Sequence, residues 1–233
     1  MLSDEDDEKI DYTVKHKFLE KYSCFVLSQP QNEIQNYLLP FIEKFNKSEV
    51  IADLFKEFVL AEDILNTYDN FWYVWSVFKE KVFNICNDGD SYWYVDKIVR
   101  SYIFAEIPWK ATAKDWHTFK DTNKRFFKEV SEKIGHCPSC LYSISKLLND
   151  IGTPYIEDGI TWLSTILVDK EYINKKLETN TIYYIELFMK RYIYQNREKI
   201  RTTNILKNKV LIVLNFLVEK GSVIGYMLRE NIL

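Results

Sequence analysis

Apolar residues recur every three or four positions along most of this chain, which is the spacing of one face of an α-helix. The clearest stripe follows Ser48, a residue type that favours the N-cap of a helix. Its apolar members are Val50, Ile51, Leu54, Phe55, Phe58 and Val59. Acidic residues, among them Asp53 and Glu57, fall at the polar positions between them. The pattern predicts an amphipathic helix with a buried apolar face and a polar face.

The same periodicity predicts helices over most of the remaining sequence. A first helix ends at Pro30, a second begins at Ile34, and Pro40 should kink or split the second. Residues 108–121 lack the pattern and are predicted to form an irregular loop, and 169–178 a short polar helix or loop. The other predicted helices cover about 69–86, 91–104, 122–134, 138–151, 154–168, 180–195, 203–220 and 222–230.

Two similar segments, which we call the internal echo, suggest how these helices are arranged. Residues 69–74 (DNFWYV) and 90–95 (DSYWYV) begin 21 positions apart, the length of a helix and its turn. With no runs of alternating strand residues, the chain is predicted to be all-α. The echo favours an irregular right-handed stack of antiparallel helix pairs, a solenoid of the HEAT or tetratricopeptide (TPR) kind. A compact irregular helical domain is the alternative. The predicted organisation is an acidic flexible N-terminus over 1–10 and one helical-repeat-like domain over 11–233.

Composition narrows the class of protein. A hydrophobic fraction of 47% and an aromatic fraction of 16% exclude a chain that is disordered over most of its length. The net charge of −3 provides no overall basic field to attract nucleic acid. No segment has the pattern of a signal peptide or a membrane span, and the four cysteines are too scattered for a disulfide scaffold. These features favour a cytoplasmic protein without a membrane partner.

The most site-like string is residues 136–140 (HCPSC), in which Cys137 and Cys140 have the spacing of zinc ligands. A structural zinc site needs four ligands, and the other histidines, His16 and His117, lie far away in the sequence. A redox role for CxxC would need a βαβ context, which a helical pattern does not supply. We therefore interpret this string as a helix start with two small, partly buried thiols, and predict no metal site.

Motifs for catalysis are missing from the sequence. The six glycines are too scattered to form a phosphate-binding loop. No serine or cysteine lies in a nucleophile elbow, and adjacent acids such as Glu62-Asp63 are typical of solvated helix positions. The sequence therefore favours a protein with no enzymatic activity and no cofactor.

Two stretches are candidate binding surfaces. Trp109, Trp116 and His117 lie in the irregular loop, and aromatic residues often form the energetic centre of protein interfaces. The alternative is that they cap the helix stack. A basic segment further on contains Lys190, Arg191, Arg197, Lys199, Arg201, Lys207 and Lys209. Cations with neighbouring tyrosines suit phosphate contact and base stacking, although such residues also occur at ordinary helix ends.

Segments of the C-terminal half resemble a known family. They are residues 136–139 (HCPS) with 141–144 (LYSI), 177–184 (LETNTIYY) and 214–222 (LNFLVEKGS). In overall texture they resemble the C-terminal helical region of bacterial STAND-type NTPases of anti-phage defence, including the AVAST group. The resemblance implies helical repeats that sense a phage protein. The chain has no P-loop or effector domain, so it would be a terminal fragment or a stand-alone relative, and no residue role carries over.

These observations together predict a non-catalytic protein-interaction or sensor module that recognises a phage or other protein ligand in bacterial antiviral defence. The predicted partner-binding residues are Trp109, Trp116 and His117. A helical domain that binds nucleic acid through the basic segment is the alternative. The sequence leaves the partner and the oligomeric state open.

Overall fold

The computed structural model describes residues 4–45, 47–65, 67–87, 121–150 and 156–232. These residues form ten α-helices and one 3-10 helix, with no β-strand among them, which confirms the all-α prediction for this part of the chain. The helix predicted over 91–104 and nearly all of the loop predicted over 108–121 lie outside the described residues. Within the described ranges, no helix has the length and apolar character needed to cross a membrane.

The chain divides into two compact units, Met1–Ala111 and Thr112–Leu233. The first contains α1 (Asp4–Leu27), α2 (Ile34–Lys44), α3 (Ser48–Leu65) and α4 (Tyr68–Asn87). The second contains α5 (Asp121–Ile134), α6 (Pro138–Asp150), α7 (Ile156–Leu167), the 3-10 helix (Lys170–Asn174), α8 (Thr181–Thr202), α9 (Asn204–Glu219) and α10 (Val223–Glu230). The single domain expected over 11–233 stays a prediction.

Helix α3 is central to the first unit because it packs against both α1 and α4. Its apolar stripe is buried as predicted, and Ile51, Leu54, Phe55 and Phe58 are each at most 1% exposed. The rings of Phe55 and Phe58 lie 6.2 and 6.3 Å from the ring of Phe78 in α4. Burial of these large side chains is the main stabilising contribution that the amphipathic pattern provides.

The first copy of the internal echo, residues 69–74, has a structural role at the start of α4. Asn70 donates hydrogen bonds from Nδ2 to the carbonyl oxygens of Leu27 (2.8 Å) and Gln29 (3.0 Å). These bonds satisfy carbonyl groups that the end of α1 leaves without helical partners. Trp75, one turn further on, packs against Phe55 with 5.4 Å between ring centroids. The second copy of the internal echo, residues 90–95, lies outside the described residues.

Pro40 is predicted to kink or split the second helix, and the structure shows that α2 continues through it, so the proline does not split the helix. A proline within a helix removes one backbone hydrogen bond, and the buried residues Leu38 and Phe41 hold the helix on both sides of this position. Asp53 and Glu57 are not on a solvated face, because they are 4% and 3% exposed. Helix α1 covers them, which the pattern of α3 alone cannot reveal.

In the second unit, helices pack on their next-but-one neighbours along the chain. Helices α5, α7 and α9 form one row, and α6, α8 and α10 form another. Helix α7 contacts α6, and α9 contacts both α8 and α10, so the two rows share a core. Gly159 of α7 permits a close approach, since a methyl group there would lie 2.4 Å from Leu148 Cδ2 and 3.0 Å from Phe188 Cζ.

Helix α8 extends beyond its predicted end but bends where that end was expected. The prediction covers 180–195, whereas the helix runs to Thr202. Asn196 has non-helical dihedral angles (φ −121°, ψ 18°). Its Nδ2 donates to the Tyr192 carbonyl oxygen at 3.0 Å, a local bond that competes with the regular helical pattern. The basic residues beyond position 196 therefore follow a bend in the helix.

Candidate interaction surface

Six aromatic side chains of α1, α2 and the C-cap of α2 form two neighbouring, partly exposed sets of rings, which we together call the α1–α2 aromatic surface. Its members are Phe18, Tyr22, Phe25, Tyr37, Phe41 and Phe45. Phe18 is 53% exposed, Phe25 44%, Phe45 38% and Tyr37 36%. Single exposed aromatic residues are common on protein surfaces, but a contiguous group of this kind is typical of an interaction site.

The rings of this surface hold one another in place. Phe41 lies at the centre, with its ring centroid 4.5 Å from Tyr22, 4.7 Å from Phe45 and 6.3 Å from Phe18. Phe25 meets Tyr37 edge to face at 4.9 Å. Because Phe41 is itself buried (7% exposed), the outer rings rest on a fixed base. Because these side chains are already held in place, they would lose less conformational entropy when a partner binds.

A hydrogen bond joins the two helices beneath the rings. The Tyr22 hydroxyl donates to the Tyr37 carbonyl oxygen at 2.8 Å. Burial raises the pKa of Tyr22 to about 12, so the hydroxyl keeps its proton at neutral pH and remains a donor. The bond fixes Tyr22 against α2 and positions Phe18, whose ring stacks on Tyr22 at 6.0 Å.

The sequence contains a signal for this surface that helical periodicity alone does not reveal. Phe18, Leu19, Tyr22, Phe25 and Val26 recur at the spacing of one helix face. In the structure Leu19 and Val26 are buried, whereas Phe18 and Phe25 point outward. A helix normally buries a single apolar stripe. The apolar band of α1 is wider than such a stripe, and this width is the sequence signal that part of the band remains exposed. The exposed Val14 (62%) extends the outward band by one more turn.

Charged side chains alternate with the aromatic residues along α1 and α2. Lys17, Lys21 and Lys44 are exposed on α1 and α2, as are Glu20 and Glu43. Lys44 lies over the ring of Phe45, with Nζ 5.4 Å from the ring centroid. An apolar centre with a charged rim is the usual composition of a protein-binding surface.

A cluster of charged side chains lies between α1 and α3. Lys15 Nζ is 3.2 Å from the Asp53 carboxylate, and His16 Nδ1 is 2.9 Å from Glu57 Oε1. Lys56 Nζ lies 3.3 Å from the other ring nitrogen of His16. Burial raises the pKa of Glu57, and the opposing attraction of His16 and Lys56 is smaller than this effect. The cluster connects two helices, and its carboxylates face the helix interface.

The Cys24 thiol lies near this cluster and is not activated by it. Burial is the main factor that raises the Cys24 pKa, and the negative charges of Glu20 and Glu57 raise it further. A nucleophilic cysteine requires the opposite shift, because the thiolate is the reactive form. The arrangement therefore offers no support for nucleophilic chemistry at Cys24.

In the second unit, the HCPSC string forms the junction between α5 and α6. Cys137 and Cys140 are buried at 5% and 0% exposure. The Tyr172 hydroxyl donates to the Cys137 carbonyl oxygen at 2.6 Å, and Lys175 Nζ donates to the His136 carbonyl oxygen at 2.8 Å. These contacts attach the 3-10 helix and the segment after it to the start of α6. No group of three or more potential metal ligands occurs within the described residues.

The basic segment does not form a single positively charged face. Arg191 donates to the carbonyl oxygens of Leu148 and Asn149 at the end of α6. Lys199 pairs with Glu157, and Lys209 Nζ donates to Thr161 Oγ1 at 2.9 Å. Arg201 lies 3.6 Å from Glu198.

The remaining cations of the basic segment are Lys190, Arg197 and Lys207. Lys190 and Arg197 are exposed, and Lys207 is half-buried. Lys190 lies on the outward face of α8 with Tyr194, which is 88% exposed, and Arg197 follows the bend at Asn196. The structure therefore brings only part of the predicted set together. Trp109, Trp116 and His117, the predicted protein-binding residues, lie outside the described residues.

A shallow cleft of about 260 Å³ is a further feature of the second unit. It lies between the end of α7, the 3-10 helix and α9. Its lining residues are Leu167, Val168, Lys170, Ile173, Ile212, Asn215, Phe216 and Glu219. Its two charged residues, Lys170 and Glu219, are both exposed. The cleft has an apolar floor but no convergent set of buried polar groups, which a small-molecule site normally contains.

Comparisons of the sequence with protein-family models and with curated proteins found no match.

Proposed function

We propose that this chain is a non-catalytic protein-interaction module that recognises a phage or other protein ligand through the α1–α2 aromatic surface. The observation that carries the proposal is two sets of contacting rings, Phe18–Tyr22–Phe41–Phe45 and Phe25–Tyr37, joined by the Tyr22–Tyr37 hydrogen bond. Four of the six rings are between 36% and 53% exposed. Aromatic anchors on a fixed base are typical of the residues that dominate binding energy in protein interfaces. The role in bacterial antiviral defence, within the cytoplasm, rests on the family resemblance and the composition.

The size of the exposed aromatic area supports a protein ligand. A buried aromatic side chain removes about 150–250 Å² from water, and each Å² of apolar area contributes about 25 cal/mol. Phe18 is 53% exposed, so covering it would contribute on the order of 2 kcal/mol. Several such rings offer enough apolar area for a specific complex, once the costs of association are subtracted.

The finer architecture is also part of the proposal. The next-but-one packing of α5 with α7 and of α6 with α8 supports a stack of antiparallel helix pairs, related to HEAT or tetratricopeptide solenoids. Repeat proteins of this type use extended surfaces to bind other proteins. A compact irregular helical domain remains the alternative arrangement.

A capture experiment with matched variants tests the proposed surface. Phe18→Glu places a charge on the aromatic surface, and Ile64→Glu places one at another exposed apolar residue of the same unit, where Ile64 is 71% exposed. Tagged wild-type and variant chains are used to capture partners from phage-infected bacteria. We expect a partner that is retained by wild type and Ile64→Glu and lost with Phe18→Glu. Retention by Phe18→Glu, or no partner under several phage challenges, would count against the proposal.

Nucleic-acid binding is the second candidate function, and one observation favours it. Lys190 and Arg197 flank the exposed Tyr194 on α8, and alternating cations and aromatics suit single-stranded nucleic acid. The internal contacts of Arg191, Lys199 and Lys209 reduce the charge available for phosphates. Titration with single-stranded and duplex oligonucleotides at several salt concentrations tests this function. Binding that weakens with salt would support it, and flat curves at low salt would exclude it.

A further inference from the structure

The outward face of α8 carries a regular stripe of side chains, which we call the α8 stripe. Its members are Tyr183, Leu187, Lys190, Tyr194, Arg197 and Arg201, whose spacings are four, three, four, three and four residues. Alternation of three and four residues is the repeat that aligns one face of a helix with a second helix across a coiled-coil seam. Up to Tyr194 the stripe therefore has the geometry of a helix-binding surface, and Arg197 and Arg201 follow beyond the bend at Asn196.

The stripe is not needed for the core of the second unit. Helix α8 packs inward through Ile185, Phe188 and Tyr192, each of which is fully buried. The opposite side is exposed, with Tyr194 at 88%, Tyr183 at 54% and Leu187 at 37%. Large exposed side chains that follow one another along one helix face are typical of an interaction site.

Charge identifies the type of partner. Lys190 and Arg197 are exposed, and in the described part of the chain neither has an ion-pair or hydrogen-bond partner. Arg201 lies 3.6 Å from Glu198, an exposed pair of the kind that contributes little to stability. Glu186, beside the stripe, accepts a 2.5 Å hydrogen bond from Ser222 Oγ and is thereby held towards α10. The stripe thus presents apolar side chains interspersed with cations.

Helix α10, which is joined to α8, exposes apolar side chains of its own. The Ser222–Glu186 bond joins the start of α10 to α8. The outward side of α10 exposes Val223 at 72%, Tyr226 at 52% and Met227 at 59%. Methionine and tyrosine are adaptable contact residues at helix-binding surfaces.

We infer that the α8 stripe binds an acidic amphipathic helix of a partner protein. The apolar side of that helix would cover Tyr183, Leu187 and Tyr194, while its carboxylates would face Lys190 and Arg197. A helical ligand is favoured over nucleic acid because the repeat matches a helix seam and because the apolar members outnumber the unpaired cations. This surface is separate from the α1–α2 aromatic surface, so the inference does not depend on the proposed function.

Binding of designed peptides tests the inference directly. The probe is a fluorescein-labelled peptide of about three heptads with Leu at a and d and Glu at e and g, whose like charges oppose self-association. Its counterpart has Lys in place of every Glu. A single-stranded oligonucleotide is titrated in parallel, and binding is followed by fluorescence anisotropy at low and physiological ionic strength. The full chain is used throughout, and sedimentation velocity monitors its oligomeric state.

Three variants assign the binding to the stripe. Lys190→Glu combined with Arg197→Glu reverses its charge, and Tyr194→Ala removes its most exposed ring. Lys146→Glu, at an exposed position of α6, is the matched control. Because all four positions are exposed, circular dichroism is expected to be unchanged. We expect the acidic peptide to bind wild type and the control equally, and to bind the double variant and Tyr194→Ala at least about tenfold more weakly.

Four results would overturn the inference. They are no binding of the acidic peptide, equal binding of the basic peptide, and preferential binding of the oligonucleotide with loss in the double variant. The fourth is a concentration-dependent dimer that the double variant disperses, which would identify a second copy of the chain as the occupant.

Discussion

The Tyr172 hydroxyl donates a 2.6 Å hydrogen bond to the carbonyl oxygen of Cys137, and both residues are buried. Burial raises the pKa of Tyr172 far above its ordinary value, so the hydroxyl stays protonated and remains a donor. The bond links the 3-10 helix to the start of α6 and gives the HCPSC string a structural function.

This hydrogen bond predicts different effects for two Tyr→Phe changes. Tyr172→Phe leaves the buried Cys137 carbonyl without its donor and should lower the free energy of unfolding by about 1–3 kcal/mol. Tyr192 is equally buried, but its hydroxyl has no hydrogen-bond partner in the described part of the chain. Tyr192→Phe should therefore be neutral or slightly stabilising. Urea unfolding measures both, and equal effects of the two changes would contradict the assignment.

Glu57 predicts a pH dependence of stability. Burial raises its pKa above the ordinary value of 4.5, so the folded chain binds this proton more tightly than the unfolded chain does. The resulting stabilisation is complete below the ordinary pKa and is lost as pH rises through the raised pKa. Glu57→Gln stays neutral and should remove this part of the slope, so its free energy of unfolding should fall less than that of wild type over this range.

The matched control for Glu57 is Glu80→Gln, at an exposed position of α4. Urea unfolding is measured from below pH 4.5, the ordinary Glu pKa, to neutral pH for wild type and both variants. The control should retain the wild-type slope. If Glu57→Gln retained it as well, the ion pair with His16 would govern the charge state of Glu57 and the effect of burial would be refuted.

Gly225 predicts a packing effect that opposes helix propensity. Alanine is ordinarily more favourable than glycine within a helix by about 1 kcal/mol. A methyl group at Gly225 would lie 2.5 Å from Leu217 Cβ, so α10 would have to move away from α9. Such overpacking costs about 1–3 kcal/mol. We expect Gly225→Ala to lower the free energy of unfolding by about 1 kcal/mol and to speed hydrogen exchange in α10. Val223→Ala, at a 72% exposed position, is the control, and an increase in stability for Gly225→Ala would contradict this packing.

The sequence was sufficient to predict the fold class and most helices, because apolar spacing reflects which residues a helix buries. The stripe from Ile51 to Val59 and the start of α6 at Pro138 were both predicted from local patterns. Local patterns did not predict the burial or the contacts of a side chain where these depend on residues far away in the sequence. Asp53 and Glu57 are buried because Lys15 and His16 approach from α1, about 40 positions earlier. Arg191 donates to carbonyl oxygens at the end of α6, 42 and 43 positions earlier, and its charge is therefore not available to the predicted basic surface.

The candidate site was harder to predict than the fold. Phe18 and Phe25 have the same residue type as the buried phenylalanines of α3, and only the covering helices decide which rings remain exposed. The tryptophans chosen from the sequence lie outside the described residues and stay a prediction.

Photo-crosslinking at the α1–α2 aromatic surface tests the central claim most directly. A benzoylphenylalanine residue replaces Phe18, Phe25 or, as the control, Ile64 of the same unit, and bacteria carrying each chain are irradiated during phage infection. We predict that one discrete protein crosslinks from positions 18 and 25 and not from position 64. No crosslink from positions 18 and 25, or the same products from all three positions, would contradict a protein-binding role for this surface.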